Sequence, residues 1–483
     1  MIKLLSIQYW IEESVLMPVN SFENYILTWK PDREKLKYPI YTSLAELMEK
    51  DIASGVLPVG TKLPPQRELA DYLDVSLNTI TRAYTLCEKR GLLYAVTGKG
   101  TFVNSSINSI KSVVETNTEK NIINVGITVS PQSNIKQLKL IINEITQDKS
   151  FADNIRFANP ASTDYQLHAA RKWLDNFNIK STGEILITNG SQNSLTLILA
   201  GIFEAGDRII VDQYTYPNFL ALANMLHIVL LTVPSDEYGM DVAELKKILN
   251  TNNVKGIYLS PSCSNPQATC MPLNRRKEIA ELIDGYNLIL IEDDCYAFLI
   301  ENKPQPIYNM VSDNAIYLTE LNKAISPGIK TGYICYDEKF RSKLEQANYN
   351  CNLTVDWFSA QIAAHAINSC VYEKSLAEHI LLTQKRNEIY AKYFPVSNMN
   401  SYYQWLELPK GISSVAFESV ALKAGVKVYG SERFLTGDAG GRYFLRVSTS
   451  GPDSYQNLEK ALTTIKQIID DIRNQATDIN YTV

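Results

Sequence analysis

No stretch of the 483 residues offers the roughly 18 consecutive apolar side chains that a membrane helix needs. Cysteine is sparse: there are seven, Cys87, Cys263, Cys270, Cys295, Cys335, Cys351 and Cys370, with no CxxC pair among them. An odd, scattered set of this kind argues against a disulfide framework and against structural zinc, and it fits a reducing cytosol. An excess of one charge is also missing. The formal net charge is −5 with 20% charged residues, so the bulk charge advertises no polyanion partner and any nucleic-acid reading must rest on a local motif. The opening segment MIKLLSIQYWIEESVLM has no small-residue cleavage site, and two glutamates interrupt its apolar stretch. It does not read as a signal peptide, and Met17 is an alternative start.

Against these absences stands a chain with 45% hydrophobic residues, enough for a large core and long enough for two or three domains. Residues 38–103 read as a compact helical unit ending in a hairpin. Ile40, Leu44, Leu47, Met48 and Ile52 recur at helical spacing over 38–54. A second helix is expected over 67–73, after Pro64-Pro65, and a third from an N-cap at Ser76 to about Arg90. The segment LLYAVTGKGTFV then reads as two strands around a Gly98-Lys99-Gly100 turn. Residues 104–122 are rich in Asn, Ser, Thr and Lys without an apolar face, and read as a linker.

From 123 to 483 the pattern is α/β. The runs EILIT, RIIVD, IVLLTVP, VKGIYLSP, LILIEDD, AIYLTEL and KTGYICYD are strand candidates, several of them almost continuously apolar, as in a mainly parallel sheet covered on both faces. Helical stretches such as SLTLILAGIFEAG separate some of them. The part after about Trp357 is mainly helical with some strand and reads as a smaller C-terminal subdomain.

The N-terminal unit resembles the GntR-type winged helix-turn-helix. Gly60, Leu63, Pro64, Arg67, Leu69 and Ala70 match its first block, Val75, Ser76, Thr79 and Ala83 its second, and Gly98, Gly100, Thr101 and Val103 its wing. The resemblance implies double-stranded DNA as a partner. Ser76, Asn78 and Thr79 would lie at the N-terminus of the recognition helix, where backbone N–H groups and short side chains meet phosphates and base edges, with Arg82 one turn on. Lys99 would sit at the wing tip facing a minor groove, and Arg67 would touch the DNA backbone. Between Ser76 and Val103 four basic residues (Arg82, Lys89, Arg90, Lys99) stand against the single acid Glu88, so positive charge concentrates on that half. Leu77 stands where such proteins often carry arginine.

Residues 160–450 resemble the fold-type I aminotransferases, and the whole chain resembles the MocR-type regulators. Six separated motifs carry the likeness: ITNGSQNSL, DQYTYP, SPSCSNPQ, IEDDCY, TELNKAISPGIKTGY and RYFLRVSTS. The resemblance implies pyridoxal 5'-phosphate as cofactor. Lys323 would carry it as an internal aldimine. Asp293 would pair with the pyridine nitrogen, Asn265 and Tyr296 would reach the phenolic oxygen, and Tyr216 would cover the ring. Gly190, Ser191 and Gln192 would offer backbone N–H groups to the phosphate, beside Lys330. Arg446 would clamp the carboxylate of an amino-acid effector. A lysine in this role needs an unprotonated amine, so burial is expected to depress the Lys323 pKa. The adjacent acids Asp293 and Asp294 have no histidine nearby in sequence, and no metal site is expected.

The match departs from the family at the phosphate. Lys330 replaces the usual arginine, keeping charge but losing the fork geometry. Glu320 replaces a common phosphate-binding serine, which requires a neighbouring cation, with Lys330 the candidate, and Asn322 replaces the serine before the lysine. Three functions follow from the resemblance: a regulator sensing an amine or amino acid through Lys323, a regulator sensing pyridoxal phosphate itself, and an aminotransferase with an appended DNA-binding unit. It further implies a cytoplasmic homodimer in head-to-tail arrangement.

Overall fold

The structure is a computed structural model that describes residues 27–53, 56–57, 61–89, 92–96, 100–103, 122–130, 135–156, 162–179, 183–311, 313–369, 371–410, 412–437 and 440–480. The chain divides into two compact units, Met1–Lys111 and Ser112–Val483. The linker expected over 104–122 lies, but for its last residue, outside the described residues, as do Lys99 and the opening segment with Met17.

In the first unit, helices α1 (Ile40–Ala53), α2 (Gln66–Leu73) and α3 (Leu77–Lys89) precede strands β1 (Leu93–Val96) and β2 (Gly100–Val103), which pair antiparallel. The periodic residues Leu44, Met48 and Ile52 are fully buried and meet Leu69, Leu73, Ile80, Ala83, Tyr84 and Val103 in one core. Each buried leucine, isoleucine or methionine among them contributes about 1.5–3 kcal/mol. The core also takes in Trp29, whose indole N–H donates to Asp51 at 2.9 Å, so the packed unit reaches further toward the N-terminus than Tyr38.

The second unit is built on a seven-stranded sheet. Its strands are β3 (Glu184–Thr188), β4 (Arg208–Asp212), β5 (Val229–Val233), β6 (Gly256–Leu259), β7 (Ile289–Asp293), β8 (Ala315–Glu320) and β9 (Gly332–Tyr336), and every one falls within an apolar run read from the sequence. The spatial order is β3-β9-β8-β7-β6-β4-β5. Strand β9 runs antiparallel to both its neighbours, and all other pairs are parallel. Apolar clusters pack on the sheet, which is why β6, β8 and β9 are buried along their whole lengths. The C-terminal part adds a three-stranded antiparallel sheet of β10 (Tyr403–Glu407), β11 (Tyr429–Gly430) and β12 (Phe444–Ser448), with β12 central. It shares a core with the long helix Tyr455–Asn480.

This topology positions a site. The six parallel strands end on one edge of the sheet, so the loops after β3, β4, β6, β7 and β8 emerge together, the usual place for ligands in open α/β sheets. Antiparallel β9 begins on the same edge. In register, Glu320 lies opposite Gly332 and Gly332 opposite Thr188. A Cβ on Gly332 would stand 2.7 Å from Thr188 Oγ1 and 2.9 Å from the Gly190 carbonyl carbon, so only glycine lets these strand ends close up.

Candidate functional site

The loop after β3 turns at Gly190, whose φ of +91° is open to glycine, and becomes the N-cap of helix Ser191–Ile202. The loop after β4 delivers Tyr216, half-buried, with its hydroxyl 3.4 Å from Gln192 Oε1 and accepting from Asn218 at 3.0 Å. The loop after β6 delivers Asn265. At the end of β7, Asp293 accepts from the Tyr258 hydroxyl at 2.7 Å and from Cys295 N at 3.2 Å. Burial pushes its carboxyl up, against the pull of these hydrogen bonds. Tyr296 is buried, with its hydroxyl 3.1 Å from Thr128 Oγ1, and Lys323 Nζ lies 5.1 Å from the Tyr296 ring centre. Arg446, on β12, is 7% exposed. It donates to Asn265 Oδ1 at 2.8 Å and to the Gly126 carbonyl at 2.7 Å, while its Nε is buried without a partner. The residues named from sequence for a ring and an aldehyde thus gather at one edge of the large sheet, and the one named for a carboxylate, Arg446, reaches Asn265 there from the C-terminal sheet.

The electrostatics at Lys323 differ from expectation. Burial on its own lowers a lysine, but the Glu320 carboxylate, with Tyr296, Cys295 and Tyr216 behind it, outweighs that and holds the ammonium well above its ordinary value. Glu320 is 1% exposed and bonds directly to Lys323 Nζ. Its other oxygen accepts the Ser191 backbone N–H at 3.1 Å. Burial would raise Glu320, yet Lys323 and the Ser191 N–H overcome it and keep its carboxyl below the usual range. The expected cation partner is therefore also corrected: Lys323 takes the Glu320 charge, and Lys330 is exposed at the rim of the loop. The reason is position. Glu320 closes β8, and the chain turns straight back over it to place Lys323 within reach.

Several contributors carried no motif. The segment 126–130 supplies the Gly126 carbonyl to Arg446, Thr128 to Tyr296, and Ser130, which donates to the Lys323 carbonyl at 2.6 Å. Arg276, fully buried on helix Leu273–Gly285, lies 3.8 Å from Glu292 and donates to Ser262 Oγ at 3.2 Å; Ser262 in turn donates N–H and O–H to Asp294. This cluster ties the loop that carries Asn265 to the loop that carries Asp293. Asp293 and Asp294 face different partners and do not converge.

In the first unit, Ser76 caps α3, its Oγ accepting from Thr79 N at 3.2 Å and lying 2.8 Å from Thr79 Oγ1. Ser76 and Thr79 are thus engaged with one another, while Asn78 and Arg67 are exposed. Arg82 is exposed but stacks over the Tyr41 ring at 4.4 Å. Exposed Lys62, bridged to Phe102 and lying against Gly100, adds a cation beside the hairpin that its distance in sequence conceals. Ser76→Ala is expected to cost about 1 kcal/mol in thermal unfolding of this unit. An unchanged midpoint would mean that the Ser76 carbonyl, which also accepts the Thr79 N–H at 2.9 Å, satisfies it alone.

Residues 120–465 match the aminotransferase class I and II family, and residues 40–103 match the gntR family of bacterial regulatory proteins. The chain is 33% identical over 461 residues to the uncharacterized HTH-type transcriptional regulator YdeF of Bacillus subtilis, covering 94% of this chain and all of that one. It is 24% identical to the uncharacterized HTH-type transcriptional regulator YjiR of Escherichia coli, over 89% of this chain and 98% of that one. Among solved structures, a Pyrococcus horikoshii kynurenine aminotransferase superposes with a TM-score of 0.68 at 24% identity, over 76% of this chain and 94% of that one, and shares the fold. The chain therefore belongs to the MocR-type transcriptional regulators, which join a GntR helix-turn-helix domain to an aminotransferase class I and II domain of the pyridoxal phosphate-dependent fold.

Proposed function

We propose that this chain is a cytoplasmic, homodimeric regulator that binds duplex DNA through its first unit and senses an amine or amino acid through pyridoxal phosphate at Lys323. The observation that carries the proposal is the gathering of Lys323, Asp293, Asn265 and Tyr296 at one edge of the large sheet, with Arg446 reaching Asn265 from the C-terminal sheet. The residues suit the cofactor at both ends. Asp293 and Tyr296 present acceptor and donor groups for a ring, and the loop at Gly190 already holds an anion, the Glu320 carboxylate, on its Ser191 N–H. When bound, the cofactor supplies an aldehyde that joins an amine reversibly.

The protein's part is positioning and charge. Asp293 would hold a proton on the ring nitrogen, Asn265 and Tyr296 would orient the phenolic oxygen, and Tyr216 would cover the ring. Lys323 must give up a proton before its amine attacks, and the ion pair with Glu320 keeps that proton on the lysine. The unpartnered Nε of Arg446 supports a role in carboxylate binding, since a guanidinium takes a carboxylate through two parallel N–H groups. An effector changes DNA binding only if it binds two states of the protein unequally. In the first unit Arg67, Ser76, Asn78, Thr79, Arg82 and Lys99 are the proposed DNA contacts.

Titrating the protein, saturated with pyridoxal phosphate, with amino acids and with amines lacking a carboxylate tests this reading through the visible absorbance. Arg446→Lys is expected to weaken amino acids by about tenfold or more while leaving simple amines unchanged, because lysine keeps the charge and loses the fork. Equal weakening of both classes would contradict the clamp.

A further inference from the structure

The Glu320 carboxylate stands where an anion-binding loop meets the reactive lysine. It accepts the Ser191 N–H at the start of helix Ser191–Ile202 and bonds to Lys323 Nζ. Its Oε2 lies 3.9 Å from where a Cβ of Gly190 would be, so it packs against the turn. It is 1% exposed and closes β8, opposite Gly332. We infer that Glu320 is a built-in competitor for the cofactor's phosphate, occupying the phosphate loop and restraining Lys323 until the ligand displaces it.

This inference rests on the pyridoxal phosphate reading and adds to it. A phosphate approaching the loop needs the Ser191 N–H that Glu320 holds, and it meets a carboxylate of its own sign. Loading therefore exchanges one anion for another on the same donor and frees Lys323 from its counter-ion in the same movement. Exposed Lys330 at the rim is the cation left to receive the phosphate. The consequence is a cofactor that comes and goes. The cofactor's phosphate contributes little net affinity, so occupancy of Lys323, on which amine sensing depends, follows the level of pyridoxal phosphate.

The discriminating measurement compares pyridoxal phosphate with pyridoxal, which has the same ring and aldehyde but no phosphate. Affinities are read from absorbance and from quenching of intrinsic fluorescence, for the wild type, Glu320→Ser and Glu320→Gln. Effects of the substitution on Lys323 itself act on both ligands and cancel in the ratio. Wild-type protein is expected to favour pyridoxal phosphate only weakly. Glu320→Ser should raise that preference by about tenfold to a hundredfold, the range expected for one hydrogen bond to a charged group. Glu320→Gln, which removes the charge and keeps the shape, should fall between them. Inorganic phosphate alone should raise the Tm of Glu320→Ser and leave the wild type unmoved. A preference that is unchanged or reduced in Glu320→Ser overturns the inference while leaving the cofactor reading intact. Binding of neither aldehyde to any of the three proteins overturns both.

Discussion

Replacing Lys323 by alanine is expected to abolish the visible band that pyridoxal phosphate produces with the wild type, and to make DNA binding indifferent to amines. The substitution removes the one amine that the strand ends converge on. It also leaves Glu320, 1% exposed, without its ion-pair partner, so the carboxyl moves up toward protonation. The expected loss of covalent binding is complete, since no other lysine is placed beside Asp293 and Tyr296 among the described residues. Duplex binding in the absence of ligand should persist, because the first unit has its own core around Leu44, Leu69 and Ile80. Spectra and salt-dependent gel shifts on the same preparation check both halves. A retained band, or a retained response to amines, would remove Lys323 from the account.

The largest loss of stability is expected for Arg276→Met. Arg276 is fully buried, donates to the Met271 carbonyl at 2.9 Å and to Ser262, and stands 3.8 Å from Glu292. Burial pushes both Glu292 and Asp294 up, and Arg276 is the cation that opposes this. Removing it leaves two buried carboxyl groups without a counter-charge, a change that costs about 3–5 kcal/mol. The pH dependence has a definite sign. Carboxyls whose pKa is raised in the folded state bind more protons there than in the unfolded chain, so stability falls as pH rises through and above the ordinary carboxylate range. The deficit of Arg276→Met should therefore be smallest in acid and grow toward neutral pH in urea unfolding. A deficit independent of pH would show that lost packing dominates.

All seven strands of the large sheet were legible because strands buried on both faces are nearly continuous apolar runs, and runs of that kind survive without knowledge of the neighbours. Their order was not legible. Nothing local to KTGYICYD says that it runs antiparallel between β3 and β8: β8 lies just before it in the chain, but β3 is more than a hundred residues away. The same division holds at the site. Asn265, Asp293, Lys323 and Arg446 were readable because each lies in a short motif at a loop or strand. Gly126, Thr128 and Ser130 were not, because the segment that carries them has no distinctive composition and acts through single hydrogen bonds. The spacing of Glu320 and Lys323 was visible, but which cation Glu320 would face depended on where β8 ends. Residue type alone therefore pointed to the wrong partner and the wrong direction for the lysine's pKa.

An aldehyde ligand is expected to bond to one particular lysine out of all those in the chain. Incubating the protein with pyridoxal phosphate, reducing it with borohydride and measuring peptide masses tests this directly. One stable addition is expected, on the peptide that contains Lys323. An addition confined to surface lysines such as Lys330, or none above the level found with unfolded protein, would contradict it.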